Sequence, residues 1–596
     1  MRKLLIVILL LSALLPFPLC SDAAADTIWP QYRGPHSRGV SSQPNLPDRW
    51  SAKENVAWKC EIPGRGWSSP IVWKDRVFLT TVINSGKSEE PKKGLYFGGD
   101  RPKPPSTIHQ WQVFCLDLNT GKVLWMRQVH EGKPETSIHL KNSYASETPV
   151  TDGERVYFYF GNLGVFCFDF EGKQLWKHVV KPEPTRLGWG TSASPVLYRD
   201  RLYVVNDNDK ESYLLALDAK TGKQVWRTAR DEKSNWSTPF IWENGKRTEI
   251  VTLGSGKVRS YDLEGNLLWW LKGMSSITIA TPYEYNGLLY FSSGYVGDSS
   301  RPIYAVRPGA KGDISLKAGE SSNAFVVWSL PKAAPYNPTT LIYNDRLYVL
   351  LDRGFVSCFR PHDGKEIYSQ KRLPNGRAFT SSPWACDGKV FCLDEDGVTF
   401  VLQAGDEFKV LHTNTLAEDD MCMATPALAG DRLLIRTAAR LYCITSSTAN
   451  RKETQPPAAR VDPPRIEPAD RPMNNHDLTD RSFNRAEKTL SAAIVGKIIK
   501  HTPLYTSPPM EPSTRPRLMC WASTSVSPVA WTPNTLVTGV DLSNSEFRRT
   551  AVDHTSAPHA MTRTYSGVSD RSALRTLVWA RMSMCPKQIG GSAVPV

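Results

Sequence analysis

Asp117-Leu118-Asn119-Thr120-Gly121-Lys122-Val123-Leu124-Trp125 is a phrase the chain keeps rewriting. Its Asp, Gly and Trp return at Asp169, Gly172 and Trp176, at Asp218, Gly222 and Trp226, and at Asp262, Gly265 and Trp269. A worn copy stands at Gly364 and Tyr368. In each copy the aromatic lies four residues after the glycine, and an apolar run such as Val113-Phe114-Cys115-Leu116 comes before it. The pattern predicts strand, tight turn, strand. The Asp accepts hydrogen bonds from turn amides, the Gly supplies a positive φ, and the Trp lands on the second strand. One hairpin cannot bury an indole by itself. Trp125, Trp176, Trp226 and Trp269 are therefore expected to be structural, each covered by a neighbouring repeat.

A small-polar-Pro step fixes the repeat length. It occurs at Ser69-Pro70, Thr148-Pro149, Ser194-Pro195, Thr238-Pro239, Thr281-Pro282, Asn337-Pro338, Ser382-Pro383 and Thr425-Pro426. Most spacings are 43 to 46 residues, with longer gaps of 79 and 56. A turn and a β-rich run follow most steps, as in Asp200-Arg201-Leu202-Tyr203-Val204. Four short strands per unit at this period read as a propeller blade, and eight steps give eight blades. The predicted fold is an all-β, eight-bladed β-propeller over residues 51–446.

The ends of that span predict how the ring shuts. Asn55 to Glu61 looks like an outer strand without its blade, and Thr425 to Ile444 supplies three strands without a Trp-bearing fourth. Joining them completes the last blade and removes two open sheet edges. Residues 26–50 form an irregular lead-in. Two insertions, 84–110 and 308–324, account for the long gaps and are expected to be surface loops. The remaining loops are short and leave little to wall off a central funnel.

Composition supplies bounds. Met1-Arg2-Lys3, the apolar run Leu4 to Leu15 and Ala23-Ala24-Ala25 read as a cleaved signal peptide over 1–25, which places the protein in the periplasm or outside the cell. A lipid anchor on Cys20 is disfavoured by the bulky Phe17-Pro18-Leu19 before it. No other stretch has the length of a membrane-spanning helix. Net charge is +14, yet 19 Lys/Arg against 12 Asp/Glu fall in residues 447–596, and export argues against a nucleic-acid partner. That Pro-, Ser- and Thr-rich segment reads as a disordered tail, with Asn484 to Lys500 its one helix candidate. Eleven cysteines include no adjacent pair and no Cys-x-x-Cys. Cys115, Cys167, Cys358 and Cys443 hold matching places in different repeats, too far apart to bridge, and are read as small core residues.

The repeated hairpins resemble the tryptophan-docking motifs of the quinoprotein-alcohol-dehydrogenase-like superfamily, the pyrroloquinoline quinone (PQQ) repeat propellers, over roughly residues 55–446. The lead-in Trp29-Pro30-x-x-Arg33-Gly34-Pro35 looks like that of secreted PQQ-like repeat proteins, and BamB, the scaffold of outer-membrane barrel assembly, shares the architecture. In the superfamily's dehydrogenases, the resemblance implies PQQ and calcium over the funnel. Glu, Asn and Asp hold the calcium, a second Asp is the base, and a vicinal disulfide covers the quinone. No calcium trio or catalytic Asp is placed here by matching motifs, so no catalytic or metal residue is assigned.

The side chains just before the blade prolines are expected to approach the channel: Arg65, Trp67, Glu147, Trp189, Trp236 and Arg377. Trp faces would stack and Arg would pair with carboxylates, suiting an anionic or aromatic ligand; packing and a wet channel lining are the plainer reading. Asp207-Asn208-Asp209-Lys210-Glu211 lacks the glycine of a calcium loop, and His139 with Lys141 has no nucleophile beside it. The expected function is a non-catalytic, monomeric scaffold in the cell envelope, without a cofactor and with a protein or peptide partner. The alternative is a PQQ- and calcium-dependent dehydrogenase of alcohols or sugars.

Overall fold

The computed structural model describes residues 27–446, apart from 44, 88 and 417–419, together with Thr535–Val537 and Ala551–Asp553, which pair antiparallel with each other. The signal peptide over 1–25, the disordered tail over 447–596 and the Asn484–Lys500 helix are expectations on residues that otherwise lie outside those described.

Eight antiparallel sheets of four blade strands follow one another. Blades 1 to 7 span residues 71–132, 150–179, 196–229, 240–272, 283–330, 341–372 and 384–415. Blade 8 is made from both ends of the ring, in the order Val56–Glu61, Arg440–Thr445, Arg432–Arg436, Ala427–Ala429. Val56 pairs with Ile444 and Glu61 with Arg440, so the ring closes as the sequence implies.

Blade 3 shows why these residues make these strands. Arg201–Asn206 and Tyr213–Asp218 are buried on both faces because blades press from either side, so they read as continuous apolar runs. The outer Gln224–Ala229 alternates in exposure and has one face in solvent. Its Trp226 lies opposite Ala216, beside a register shift. The same pairing recurs as Cys115 with Trp125, Cys167 with Trp176, Ser260 with Trp269, Ala305 with Trp328, Cys358 with Tyr368 and Cys443 with Trp58. The third-strand cysteines are small because a large ring stands across from them. Burial pushes the Cys115, Cys358 and Cys443 thiols up to about 12, which keeps them protonated.

Each indole also reaches into the next blade. Trp125 Nε1 donates to the Phe170 carbonyl, Trp176 to Ala219, Trp226 to Leu263, Trp58 to Leu118 and Trp328 to Pro361. The turn glycine ahead lies against the ring: a Cβ on Gly172 would stand 2.7 Å from Trp125. Trp269 departs from this. Its Nε1 donates to Glu249 in its own blade, and it packs with Ala310 and Ile314 of the second insertion. Gly312–Asp313 of that insertion pairs in parallel with Trp269 and Trp270, covering the outer edge of blade 4. Blade 7 has no outer tryptophan. Trp50 of the lead-in is buried in the neighbouring core, stacked near Phe391.

Candidate functional site

The small-polar-Pro steps form a belt around the channel. Ser69 N–H donates to Thr148 Oγ1 at 3.0 Å, Thr148 N–H to Ser194 Oγ at 2.9 Å, and Ser194 N–H to Thr238 Oγ1 at 3.0 Å. The belt resumes from Thr281 to Thr339, from Thr339 to Ser382 and from Ser382 to Thr425. A hydroxyl is needed to accept the neighbour's amide, and the proline after it brings no N–H to satisfy. In blade 6 the accepting hydroxyl is Thr339, two residues after Asn337, whose own side chain binds Asp352 instead.

A cavity of about 400 Å³ sits on the belt. Ser69, Thr148, Ser194, Thr238 and Thr425 line its base, and Trp67, Trp189, Trp236, Tyr295 and Tyr336 line its walls. Both ends are occupied by the protein's own segments, which corrects the expectation of an unwalled funnel. At one end the lead-in crosses the ring. Arg33, fully buried, donates to the Ser37, Arg38, Thr340 and Pro383 carbonyls. Pro30 accepts from Thr151, Arg38 pairs with Glu284, and Tyr32 presents its hydroxyl to Ser382 and the cavity. At the other end the first insertion forms a strap. It leaves the long strand Arg76–Asn84, reaches across the mouth and returns at His109–Asp117, and Asn84 pairs with His109 beneath it.

Polar contacts anchor the strap. Gly94 N–H donates to Glu395 Oε2 at 2.8 Å, Lys141 Nζ donates to the Gly94 carbonyl at 3.0 Å and to Glu395, and Lys93 pairs with Asp396 at 2.9 Å. Trp189 Nε1 donates to the Gly99 carbonyl at 2.9 Å, and Arg101 N–H to Leu187. Between these anchors Tyr96 lies beside His139, and Phe97 meets Trp189 edge-on while remaining 65% exposed. Burial, helped by the charges of Lys141 and Arg101, brings His139 down to about 4, so its ring is neutral at ordinary pH. Lys141 N–H donates to His139 Nδ1, which leaves the proton on Nε2.

The six residues expected at the channel separate. Trp67, Trp189 and Trp236 line one cavity. Arg65 lies in a side groove between strap and blade 1, paired with Glu90. Glu147 is sealed behind the wall, accepting from Thr191 Oγ1 at 2.6 Å and Gly161 N–H at 3.1 Å, and burial raises its carboxyl to about 7. Arg377 is 77% exposed, with Asp396 3.8 Å away. Arg65, Glu147 and Arg377 are not among the lining residues: all three lie outside the blade strands, where proximity to a proline does not say which way a side chain turns. Tyr32, Tyr96, Phe97, His139, Lys141, Tyr295, Tyr336 and Arg353 line the cavity without having been singled out for it. Aromatic density in the lead-in and the first insertion is a sequence signal for Tyr32, Tyr96 and Phe97, whereas the other five lie outside both segments. The Asp207 loop is structural, because Asp207 forms a buried pair with Arg230.

The lining tests the cofactor that the fold suggests. Calcium takes six to eight oxygen ligands, carboxylates foremost. Among the described residues no carboxylate lines the cavity, and no three His, Cys, Asp or Glu side chains converge on a possible metal position. Glu395 lies behind the lining, engaged by Lys141, Thr380 and Gly94. The eight described cysteines are all unpaired. This donor set does not fit a calcium-held quinone.

Residues 164–309 match the family model of the outer membrane protein assembly factor BamB. Among curated proteins, BamB of Burkholderia pseudomallei (strain K96243) is 25% identical over 236 residues, 34% of this chain and 58% of that one. A polyvinylalcohol dehydrogenase of a Pseudomonas species is 22% identical over 260 residues, 36% of this chain and 35% of that one. The match therefore spans about a third of the dehydrogenase's length and somewhat over half of that BamB. Crystalline BamB from Moraxella catarrhalis aligns over 62% of this chain and 99% of its own, at 12% identity and a TM-score of 0.40. Among the described residues no helix is long and apolar enough to cross a membrane.

Proposed function

We propose that this propeller is an exported, non-catalytic scaffold of the cell envelope, which binds a protein, peptide or small ligand rather than transforming one. The observation that carries this reading is the lining of the channel cavity: aromatic walls, a hydroxyl base and no carboxylate among the described residues. Dehydrogenation of an alcohol needs a group to take the hydroxyl proton and an acceptor for the hydride. In the lining His139 is neutral with its Nδ1 already accepting the Lys141 amide, and the Lys141 ammonium is held by Glu395. The relatives named as outer membrane assembly factors support a binding role.

The relative named as a polyvinylalcohol dehydrogenase supports the second reading, a PQQ- and calcium-dependent oxidation of alcohols. Purified protein incubated with PQQ and calcium separates the two. The expected result is no protein-bound quinone absorbance and no alcohol-dependent dye reduction; both together would overturn the scaffold. In-cell cross-linking is expected to recover an envelope protein, and repeated failure to do so argues against a protein partner.

A further inference from the structure

The strap carries an apolar tip turned to solvent. Phe97 is 65% exposed, the one exposed phenylalanine or tryptophan among the described residues. Val296, at the same mouth, is 44% exposed. Tyr96 is spent inward, with its ring beside His139 and its hydroxyl accepting the Lys92 N–H. A Cβ on Gly94 or Gly99, at either end of the tip, would meet nothing within 4 Å. The tip therefore stands clear of the blades, and folding gains little from its phenyl ring.

Cations gather at the same end of the ring. The turn between the second and third strands of blade 6 carries Arg353, the outer strand ends in Lys371 and Arg372, and Arg377 follows just beyond. All four are exposed. The Arg372 guanidinium donates to the Arg353 and Gly376 carbonyls, which draws the group together, and Arg353 lines the mouth with Phe97 and Val296. Among the described residues no carboxylate pairs with Arg353, Lys371 or Arg372. Asp352 of the same turn is buried and taken by the Tyr336 and Asn337 amides, and Asp396 is shared between Lys93 of the strap and Arg377. Like charges held together repel, and an anionic partner relieves that repulsion.

We propose that this end of the ring docks on an anionic lipid surface, with Phe97 and Val296 entering the headgroup layer and the blade 6 cations meeting its phosphates. A bilayer takes up a protruding apolar side chain, and its surface potential attracts the cations around it. An acidic peptide needs a recess or a free strand edge to hold it, and a projecting phenyl ring offers neither. The assignment adds a surface to the binding reading above and does not depend on what the channel holds.

Vesicle sedimentation tests it, with the chain from Asp26 onward so that the apolar leader does not itself insert; every blade strand lies after that point. Vesicles of phosphatidylcholine with about a third phosphatidylglycerol should bind at least about fivefold more tightly than phosphatidylcholine alone, and less so as salt rises. Phe97→Ser should weaken that binding several-fold. The triple variant Arg353→Gln, Lys371→Gln, Arg377→Gln should remove most of the preference for the anionic lipid. The matching triple Lys122→Gln, Lys173→Gln, Lys223→Gln takes the same charge from exposed hairpins at the other end of the blades, and should change nothing. Equal binding to both vesicles, binding to neither, equal losses in the two triple variants, or no effect of Phe97→Ser overturns the assignment. Poly-glutamate held as tightly as the anionic vesicles, whether or not Phe97 is present, would give the surface to an acidic protein instead. Should the blade 6 triple variant fail to fold, Phe97→Ser decides alone. Failure here leaves the scaffold standing, whereas quinone-dependent dye reduction would remove the scaffold whichever vesicle binds.

Discussion

Glu147 stands one residue before the Thr148-Pro149 step, and its carboxyl accepts from the Thr191 hydroxyl and the Gly161 amide, with the Ser146 and Glu147 amides also favouring the charge. Desolvation outweighs these hydrogen bonds and lifts the carboxyl from 4.5 to about 7. A folded value above the unfolded one means stability is fully present below about pH 4.5, falls as pH rises and reaches its floor above about 7. The cost at that floor is on the order of 3 kcal/mol. Glu147→Gln should therefore melt higher than the wild type above pH 7, with the gap closing below pH 4.5. A gap independent of pH would show that the carboxyl is ionised in the fold at no cost. Glycines give a second residue-scale contrast. Gly99 (φ +75°) has open space where a Cβ would go, whereas Gly172 (φ +82°) has the Trp125 ring. Gly99→Ala should cost about 1–2 kcal/mol for the left-handed backbone alone. Gly172→Ala should cost roughly 2 kcal/mol more, because the indole must also move. Urea unfolding midpoints check both.

At the scale of elements, the strap is an addition to a blade that is already complete. Asn84 and His109 are paired, and Ser85 N–H donates to the Ile108 carbonyl, so the chain could turn there in two residues. Replacing residues 86–107 with Asn-Gly should keep the blade and open the cavity. The expected outcome is a melting temperature within a few degrees of wild type and greater acrylamide quenching of tryptophan fluorescence. Unchanged quenching would mean that the strap does not shield Trp189. The strap also shows where sequence reading ran out. Its place between two strands of blade 1 was legible from the 79-residue gap, but its path over the channel was not. That path depends on the Lys141–Glu395 pair, which joins residues 254 positions apart. The lead-in escaped for a like reason: Arg33 is fixed by carbonyls of Thr340 and Pro383, and backbone carbonyls leave no mark in a sequence. The docking hairpins were readable because each carries its Asp, Gly and Trp within nine residues. Trp58 and Trp328 do the same work with no such motif around them.

For the molecule as a whole, the sequence disclosed the ring because a period of about 45 residues leaves each blade exposed until its neighbours cover it, and closure had to come from the ends. The closing contact is compact enough to test directly. Val56–Glu61 pairs with Arg440–Thr445, Ile62 and Thr445 extend the backbone ladder at its two ends, and Trp58 reaches past it to the Leu118 carbonyl of blade 1. One strand thus supplies the last edge of blade 8 and the lock between first and last blades. A chain beginning at residue 63 would expose the flank of Arg440–Thr445 and leave the Trp58 pocket empty, while blades 2 to 7 kept their own strand ladders and lost the lead-in contacts at Thr151, Glu284, Thr340, Pro383 and Phe391. Its unfolding, followed by near-ultraviolet circular dichroism, should broaden and begin at lower temperature, and a synthetic peptide of residues 50–62 should restore a single sharp transition. Residues 27–446 alone should melt like the ring in the full chain, since every blade strand lies between those limits. If the chain from residue 63 melts as sharply and as high as the closed one, the ring is held by its blade-to-blade faces, and the shared sheet contributes nothing to its stability.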